Sequence, residues 1–162
     1  MNSRRKKKGI VGSRGGSIKE LKKENIQCVA LGLVVKNNSI LTYSVKDKVS
    51  NDVFYRLIGG HVDFGEPSEV ALIREFKEEI DREINIVKQL DVFENIYFYN
   101  GNNCHEFVSL FLVEFLDNKI YELDCIIGNE GPTRTYEAYW LPTDDFKNNQ
   151  KSLYPSEILN HL

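Results

Sequence analysis

The sequence has 162 residues, of which 41% are hydrophobic and 28% charged, with a formal net charge of −3. This length suits one domain with a single core, and the composition is that of an ordinary globular protein. No apolar run approaches the roughly 18 residues that a membrane-spanning helix needs, and the net negative charge excludes a protein built throughout to hold nucleic acid.

The N-terminal segment differs in charge from the rest of the chain. Residues 4–8 form a basic run, residues 12–17 are rich in Gly and Ser, and no hydrophobic stretch follows that could act as a secretory signal. We predict a flexible tail over residues 1–24 and one domain over residues 25–162. Contact of the basic run with RNA or an anionic surface is the alternative interpretation.

The three cysteines are widely spaced and form no metal-ligand pair. They are Cys28, Cys104 and Cys125. This pattern fits a reducing compartment, so we expect a cytoplasmic protein. Cys28 lies in an apolar run and is expected to be buried as a small hydrophobic residue.

The first elements form a predicted hairpin and a further strand. Residues 27–35 are predicted to form a buried strand and residues 39–44 a returning strand, with a turn over residues 36–38. A polar loop over residues 46–52 and a short strand over residues 53–58 follow. The short strand runs directly into Gly59 and Gly60.

From Glu66 the apolar spacing becomes helical. Apolar residues recur every three or four positions, at Val70, Ile73, Phe76, Ile80 and Ile84. Pro67 suits the first helical position, where its missing N–H leaves no hydrogen bond unmade. We therefore predict a helix that packs through this apolar stripe.

The remaining chain is predicted to be mostly β. Residues 84–93 and 94–99 are predicted to be extended, and residues 100–103 to form a turn. Strands are predicted over residues 107–115 and 136–141, and a closing helix over residues 155–162. Strands that flank one strong central helix and end near a second helix predict an α/β sandwich.

Three glutamates concentrate on one side of the central helix. Glu75 and Glu79 lie one turn apart with Glu78 beside them, and we expect the apolar stripe to face roughly the opposite way. Like charges at this spacing cost roughly 0.2–0.5 kcal/mol per pair. Clustered carboxylates are ligands for Mg²⁺ or Mn²⁺, and Arg74 can pair with Glu78 or orient Glu75. A solvated acidic face is the alternative.

The stretch that starts at Gly60 resembles the Nudix box, G-x5-E-x7-R-E-U-x-E-E-x-G-U, in which U is a bulky aliphatic residue. Its fixed polar and Gly positions are filled here by Gly60, Glu66, Arg74, Glu75, Glu78 and Glu79. At average residue usage, six such matches arise by chance about once per 10⁷ starting points. Asp81 stands where the box has Gly, and Arg82 stands where it has an aliphatic residue. Asp can adopt the left-handed conformation of that Gly at some cost.

The resemblance implies a Nudix α/β/α sandwich with a central mixed β-sheet and a catalytic loop-helix-loop. It implies Mg²⁺-dependent (or Mn²⁺-dependent) hydrolysis of a phosphoanhydride bond in a nucleoside diphosphate-linked small molecule. The implied metal ligands are Glu75, Glu78, Glu79 and the Gly59 carbonyl. Glu75 would also deprotonate the attacking water and Arg74 would hold Glu75 in place. Glu66 would act at the edge of the cluster, as a ligand through water or an auxiliary base.

Substrate contacts are expected outside the acidic set. Arg56 is a candidate phosphate contact, with an ordinary surface arginine as the alternative. Gly60 and His61 would line the phosphate site. Tyr99 could stack a nucleobase, a contact worth roughly 1–3 kcal/mol, or belong to the core. His105 and Glu106 are expected to point toward the cleft, where Glu106 would be an additional base or metal contact; an ordinary surface pair is the alternative.

Two other functions are kept as alternatives. One is a catalytically silent Nudix-like domain that binds a nucleotide and regulates a partner. The other is an RNA-end-processing Nudix enzyme in which the basic run over residues 4–8 steers RNA, and whose RNA binding should weaken steeply with salt.

Overall fold

The computed structural model describes residues 25–162, so the predicted tail over residues 1–24 lies outside the described part. Within that part the strands are β1 (Ile26–Lys36), β2 (Ser39–Lys46), β3 (Val53–Arg56), β4 (Ile58–His61), β5 (Ile84–Tyr99), β6 (Asn102–Phe115), β7 (Cys125–Glu130) and β8 (Arg134–Pro142). The helices are α1 (Ser68–Ile80) and α2 (Thr143–Lys147), with 3-10 helices at Asn118–Glu122 and Ser156–His161.

The strands form one mixed sheet in the order β5-β6-β1-β2-β8-β7. β1 and β6 run parallel, and β1 pairs with β2 only at the hairpin end, near Val35 and Ile40. Beyond that end the partners of the hairpin change, because β4 pairs with β1 and β3 pairs with β2. The sheet therefore divides here into two halves, and β4 carries Gly59 and Gly60 along the β1 side of the division.

The core has two parts, one on each face of the sheet. Alternate residues of a strand point to opposite faces, so β1 contributes Ala30 and Val34 to one part and Leu31 and Leu33 to the other. The first part is covered by α1. The second part contains buried residues of α2 and of the C-terminal 3-10 helix. The predicted α/β/α sandwich is confirmed.

Helix α1 packs through a face that shares Phe76 and Ile80 with the predicted stripe but not Val70 and Ile73. Its buried residues are Ala71, Leu72, Phe76 and Ile80, whereas Val70 and Ile73 are 51% and 44% exposed. The stripe drawn through Val70 and Ile73 was wrong, because the small Ala71 forms part of the face that approaches the sheet. Pro67 also lies one residue earlier than predicted, at the N-cap.

The acidic residues of α1 lie beside its buried face rather than opposite to it. Residues 71, 75 and 79 form one row along the helix, next to the buried row of residues 72, 76 and 80. Glu75 and Glu79 are consequently half-buried, whereas Glu78, the third of the clustered glutamates, is exposed. The expectation of opposite faces was wrong, and the correction places these carboxylates at the sheet.

The end of α1 accommodates the departures from the box. Asp81 adopts a left-handed conformation with φ of 51°, and its N–H donates to the Lys77 carbonyl. Its carboxylate pairs with the Lys77 ammonium at 2.7 Å. Ile84, which starts β5, is buried in the core, so an aliphatic contact is made two residues after Arg82.

The strands and turn predicted in the second half are confirmed, with additions. β5, β6 and β8 contain the predicted segments, and the turn between β5 and β6 has positive φ at Asn100 and Gly101. β7 and α2 were not predicted, and the closing helix is a 3-10 helix.

Cys28 is exposed rather than buried, because it lies opposite the exposed Phe107 on a part of the sheet that α1 leaves open.

A buried carboxylate fixes the loop between β2 and β3. Asp47 accepts hydrogen bonds from the N–H groups of Val49 and Ser50 at 2.7 and 2.9 Å, and from that of Asn100 at 2.9 Å. Asn100 in turn accepts from the N–H of Lys48 at 2.7 Å. The loop is thereby tied to the turn between β5 and β6.

Within residues 25–162 no helix combines the length and the apolar character needed to cross a bilayer.

Candidate active site

A cleft of about 690 Å³ opens between the carboxylate row of α1 and the sheet. This volume lies within the roughly 300–1,000 Å³ of ordinary ligand sites. Every predicted site residue except Arg74 and Glu66 lines it, namely Arg56, Gly59, Gly60, His61, Glu75, Glu78, Glu79, Tyr99 and Glu106. The fold thus gathers residues from a chain segment of about 50 residues into one site.

One side of the cleft, here called the carboxylate wall, consists of Glu75, Glu78 and Glu79. The Glu75 carboxyl group lies against Gly60, where an added Cβ would stand only 2.4 Å from its Cδ. Glu79 accepts a hydrogen bond from the Tyr136 hydroxyl at 2.6 Å. Burial raises the pKa of Glu79 to about 7, and the negative charge of Glu75 also raises it, while the Tyr136 hydrogen bond acts in the opposite direction.

Arg74 lies behind the carboxylate wall and holds it in place. Its Nη1 donates to Glu75 at 2.8 Å and to Glu78 at 3.2 Å. Its Nε and Nη2 donate to the two oxygens of Glu66 at 3.0 and 2.9 Å, and Nη2 also reaches the His61 carbonyl at 2.9 Å. The Glu66 and Glu75 carboxylates raise the pKa of Arg74, and the Arg74 hydrogen bonds lower the pKa of Glu66. A single guanidinium therefore joins the loop before α1 to the wall.

The carboxylate wall has the donor chemistry of a site for a hard divalent cation. Its side chains share the cleft with Gly59, and carboxylate and carbonyl oxygens are the ligands that Mg²⁺ prefers. Among residues 25–162, however, no three or more acidic, His or Cys groups stand in a ready metal-holding arrangement. Glu75 and Glu78 are engaged by Arg74, and Glu79 by Tyr136. Cation binding would require these carboxylates to turn towards one point.

Gly59 occupies a position that only glycine can fill. Its φ is +146°, and an added Cβ would lie 2.1 Å from the Ala30 carbonyl oxygen of the paired strand β1. The close approach of β4 to β1 sets the path of the chain into Gly60, against which Glu75 rests. The glycine pair therefore positions the base of the cleft.

The opposite side of the cleft, here called the strand wall, consists of Arg56, Tyr97 and Glu106. The Arg56 side chain makes no hydrogen bond or ion pair with any residue in the described part of the chain. Burial acts to lower the pKa of Arg56, but its electrostatic interactions with Tyr43, Tyr97 and Glu106 prevail and raise it. Arg56 is thus a charged guanidinium that faces the cleft, and its donors have no partner among residues 25–162.

Glu106 is a buried carboxylate rather than a surface residue. It is 4% exposed, and it accepts hydrogen bonds from the Tyr97 hydroxyl at 2.7 Å and from the Asn95 amide at 3.4 Å. Burial and the Glu106 charge both raise the pKa of Tyr97, which keeps this hydroxyl a donor. His105 points away and pairs with Glu94 at 2.6 Å. The two predicted neighbours therefore separate, and only Glu106 lines the cleft.

The other predicted contacts lie at the rim. His61 is exposed and its Nε2 lies 3.0 Å from the Gln27 amide oxygen. The Tyr99 ring meets Phe54 edge-on at 5.7 Å and packs against the core, so Tyr99 serves both the core and the cleft.

Sequence reasoning missed the tyrosine pair beneath the carboxylate wall. Tyr43 and Tyr136 stack at 4.2 Å, and Tyr136 contacts Glu79 across 57 residues of sequence. Gln27 and Asn129 also line the cleft without having been predicted. No local spacing signals such contacts. The only sequence signal was the alternation of Tyr136 and Ala138 on one face of β8.

The fold and cleft define a class of protein, a three-layer α/β/α domain in which an arginine-tied row of glutamates borders a ligand-sized cleft. The NUDIX domain family model matches residues 27–161. The chain therefore belongs to the Nudix family. It is a Nudix-type hydrolase, and hydrolysis of a pyrophosphate linkage is the general activity that this membership supports.

Solved structures of Nudix proteins share the fold. A MutT NUDIX hydrolase from Burkholderia pseudomallei is 24% identical, with a TM-score of 0.58 over 85% of this chain and 98% of that one. An ADP-ribose pyrophosphatase from Streptococcus suis is 16% identical, with a TM-score of 0.52 over 84% and 88%. A UDP-X diphosphatase is 15% identical, with a TM-score of 0.54 over 84% and 58%. A comparison with curated protein sequences finds no match.

Proposed function

We propose that the protein is a divalent-metal-dependent pyrophosphohydrolase that cleaves the phosphoanhydride bond of a nucleoside diphosphate-linked small molecule. One observation carries this proposal: the carboxylate wall lines the same cleft as the Arg56 guanidinium, which has no partner among the described residues. The first side suits a hard cation and the second suits a phosphate oxygen. A pyrophosphate held between them would meet both.

Mg²⁺ is the metal we propose first, with Mn²⁺ as a substitute. Glu75, Glu78 and Glu79 would hold it together with the Gly59 carbonyl. When bound, such a cation lowers the pKa of a ligated water and offsets charge on the leaving phosphate. The proposed ligands rest on the family pattern and on their common position in the cleft.

The chain's own residues divide the remaining work. Glu75 would accept the proton of the attacking water, and Arg74 would fix the direction of its carboxylate through the 2.8 Å contact. Both oxygens of Glu66 accept hydrogen bonds from Arg74, which favours a positioning role for Glu66 over an auxiliary base. Arg56 would bind phosphate oxygens, with Gly60 and His61 beside them.

The nucleoside would lie along the strand wall. Tyr99 offers part of a ring face at the cleft, and Glu106 offers an acceptor that Tyr97 holds in one orientation. Two structural neighbours are named for ADP-ribose and for UDP-linked compounds. Both are nucleoside diphosphate-linked, and they are the first substrates to test.

A second candidate is a catalytically silent Nudix-like protein that binds a nucleotide. It is favoured by the engagement of all three wall carboxylates with Arg74 or Tyr136 and by the lack of a ready metal cluster among the described residues. It is weakened by the complete acidic set, which a protein that only binds nucleotide has no need to keep.

Product release from a substrate panel with Mg²⁺ tests the proposal. The panel holds nucleoside triphosphates, nucleoside diphosphate sugars, ADP-ribose, dinucleoside polyphosphates and capped or triphosphorylated RNA. We expect turnover of a nucleoside diphosphate-linked member that Glu79→Gln removes and that Glu69→Gln, an exposed change on the same helix, leaves intact. Turnover of RNA alone would favour the RNA-end-processing alternative, and tight binding without any turnover would favour the silent one.

We also propose that the enzyme works in the cytoplasm. Cys28, Cys104 and Cys125 are all free thiols. Unpaired thiols are the usual state of cysteines in a reducing compartment, which is where nucleoside diphosphate-linked metabolites would be met.

A further inference from the structure

A second cleft of about 330 Å³ adjoins the active-site cleft, and the two share Tyr97 and Tyr99 as a common wall. It lies between the loop over residues 47–52, strand β3, the end of β5 and the segment before the C-terminal 3-10 helix. We call it the aromatic cleft. Its volume is at the small end of ordinary ligand sites, which suits a single-ring group rather than a whole nucleotide.

The rings of the aromatic cleft form a curved wall rather than a flat slot. Phe54 meets Tyr99 at 5.7 Å and 85°, and meets Tyr154 at 5.6 Å and 59°. Tyr97 meets Tyr154 at 5.5 Å and 64°. A planar base stacks best on a parallel ring face or between two of them. Rings tilted this steeply against each other fit the C–H edges of a puckered ring.

The polar groups of the aromatic cleft are ready to bind hydroxyls. The Asp52 carboxylate and the hydroxyls of Tyr99, Ser152 and Tyr154 make no hydrogen bond with another residue in the described part of the chain. A carboxylate accepts from sugar hydroxyls, and the protein hydroxyls can donate or accept. Asp47, by contrast, is occupied by three backbone N–H groups.

The charge of the aromatic cleft argues against phosphate. Among its described lining residues the charged ones are Asp47 and Asp52, with no Lys or Arg. A phosphate there would face carboxylates without a cation. The cationic Arg56 side chain lies in the neighbouring active-site cleft instead. The two clefts therefore separate an anionic part of a ligand from a neutral, hydroxyl-rich part.

We propose that the aromatic cleft binds the sugar of a nucleoside diphosphate sugar, which makes this class of compound the substrate. The inference rests on the proposed function, because it places the diphosphate beside Arg56 and the carboxylate wall. The sugar then extends beyond Tyr97 and Tyr99, which line both clefts, into the aromatic cleft. There Asp52 contacts its hydroxyls and Tyr154 contacts its apolar edge.

Calorimetric binding to the Glu79→Gln protein tests this inference without depending on turnover. The probes are UDP-glucose, ADP-glucose, GDP-mannose and ADP-ribose, each measured against its own nucleoside diphosphate in the presence of Mg²⁺. We expect the sugar to lower Kd about tenfold for at least one pair, the effect of one good polar contact. Adding Asp52→Asn or Tyr154→Ala should remove that advantage and leave Kd for the nucleoside diphosphate unchanged.

Tyr139→Ala is the matched control, since Tyr139 is an exposed tyrosine outside both clefts, and it should leave every Kd unchanged. Because Tyr154 packs on two other rings, Asp52→Asn tests the same point without loss of packing. The inference is overturned if no pair shows a sugar advantage. It is also overturned if the variants weaken both members of a pair equally, as a nucleobase in this cleft would require. Sugar-dependent binding in a protein that hydrolyses nothing would instead defeat the proposed function alone.

Discussion

The two walls of the active-site cleft are built in different ways. The carboxylate wall comes from five consecutive residues of α1, and Arg74 of the same helix ties it together. The strand wall takes Arg56, Tyr97 and Glu106 from separate strands, and the sheet alone brings them together. The geometry for the chemical step is thus encoded locally, whereas the surface that meets the substrate depends on topology.

This difference leads to a division of kinetic roles that experiments can break or sharpen. Changes in the carboxylate wall should act mainly on kcat, since its groups are proposed to act on the reacting atoms. Changes in the strand wall should act mainly on KM, since its groups are proposed to hold the substrate.

Glu75→Gln should have the largest effect. Loss of a general base typically costs 10²–10⁴ in rate, so we expect kcat to fall about 10³-fold with KM changed little. Steady-state kinetics on the substrate found by the panel measure this, with Glu69→Gln as the control. Circular dichroism should show an intact fold. A fall of less than tenfold would remove Glu75 from the role of base.

Glu79 should make the stability of the metal-free protein depend on pH. Its folded pKa is about 7 against 4.5 for an unperturbed Glu, so the folded state binds the proton more tightly. The stabilisation is fully present below about pH 4.5 and is lost as pH rises through 7, by up to about 3 kcal/mol.

Urea unfolding with a chelator at pH 5 and pH 8 measures this loss. Glu79→Gln cannot titrate at this position and should lose less stability over the same interval. Mg²⁺ should restore stability at pH 8 in the unchanged protein, because it binds the folded state. Identical pH dependence in both proteins would show that Glu79 is not the titrating group.

Gly60→Ala should damage the carboxylate wall without touching a carboxylate. The new Cβ would stand 2.4 Å from the Glu75 carboxyl carbon, so that side chain must move. Displacement of a reacting group by about 1 Å can cost roughly 10²-fold, and we expect a loss in kcat of that size. Glu69→Gln, an exposed change on the same helix as Glu75, is the control. Equal kcat in the two variants would mean that the Gly60 contact has no functional weight.

Arg56→Ala should have the smallest effect on kcat and a clear one on KM. A hydrogen bond to a charged group is worth about 1.5–3 kcal/mol, so KM should rise at least about tenfold. Lys147→Ala, an exposed change on α2, is the control. Direct measurement of substrate Kd separates binding from chemistry. If kcat falls while Kd stays unchanged, Arg56 belongs functionally with the carboxylate wall, and the division between the walls fails.

The same difference explains what the sequence predicts and what it does not. Gly60, Glu66, Arg74 and the three wall glutamates lie at fixed spacings on one short segment, and a spacing can be read without knowing the fold. Most strands were also predictable, because their apolar alternation and turn residues are local. The contact between Tyr136 and Glu79 spans 57 residues, and only the assembled sheet creates it.

Burial was the least predictable property. Ile73 is exposed and Glu106 is 4% exposed, the reverse of what their side chains suggest. In both cases the neighbouring element decides. Ile73 lies outside the face by which α1 meets the sheet, and Glu106 is enclosed because Tyr97 and Asn95 of β5 lie across from it.

The Asp47 contacts have a consequence for the entropy of binding. They join the loop over residues 47–52, which lines the aromatic cleft, to the Asn100 turn. Ordering a free loop costs about 1–2 kcal/mol per residue in backbone entropy, a cost that would otherwise fall on the binding event. Because the loop is already ordered in the folded protein, ligand binding does not have to supply this entropy. A weakly interacting neutral ligand can then retain most of its contact energy as affinity. Asp47→Asn would transfer part of that cost back to the ligand.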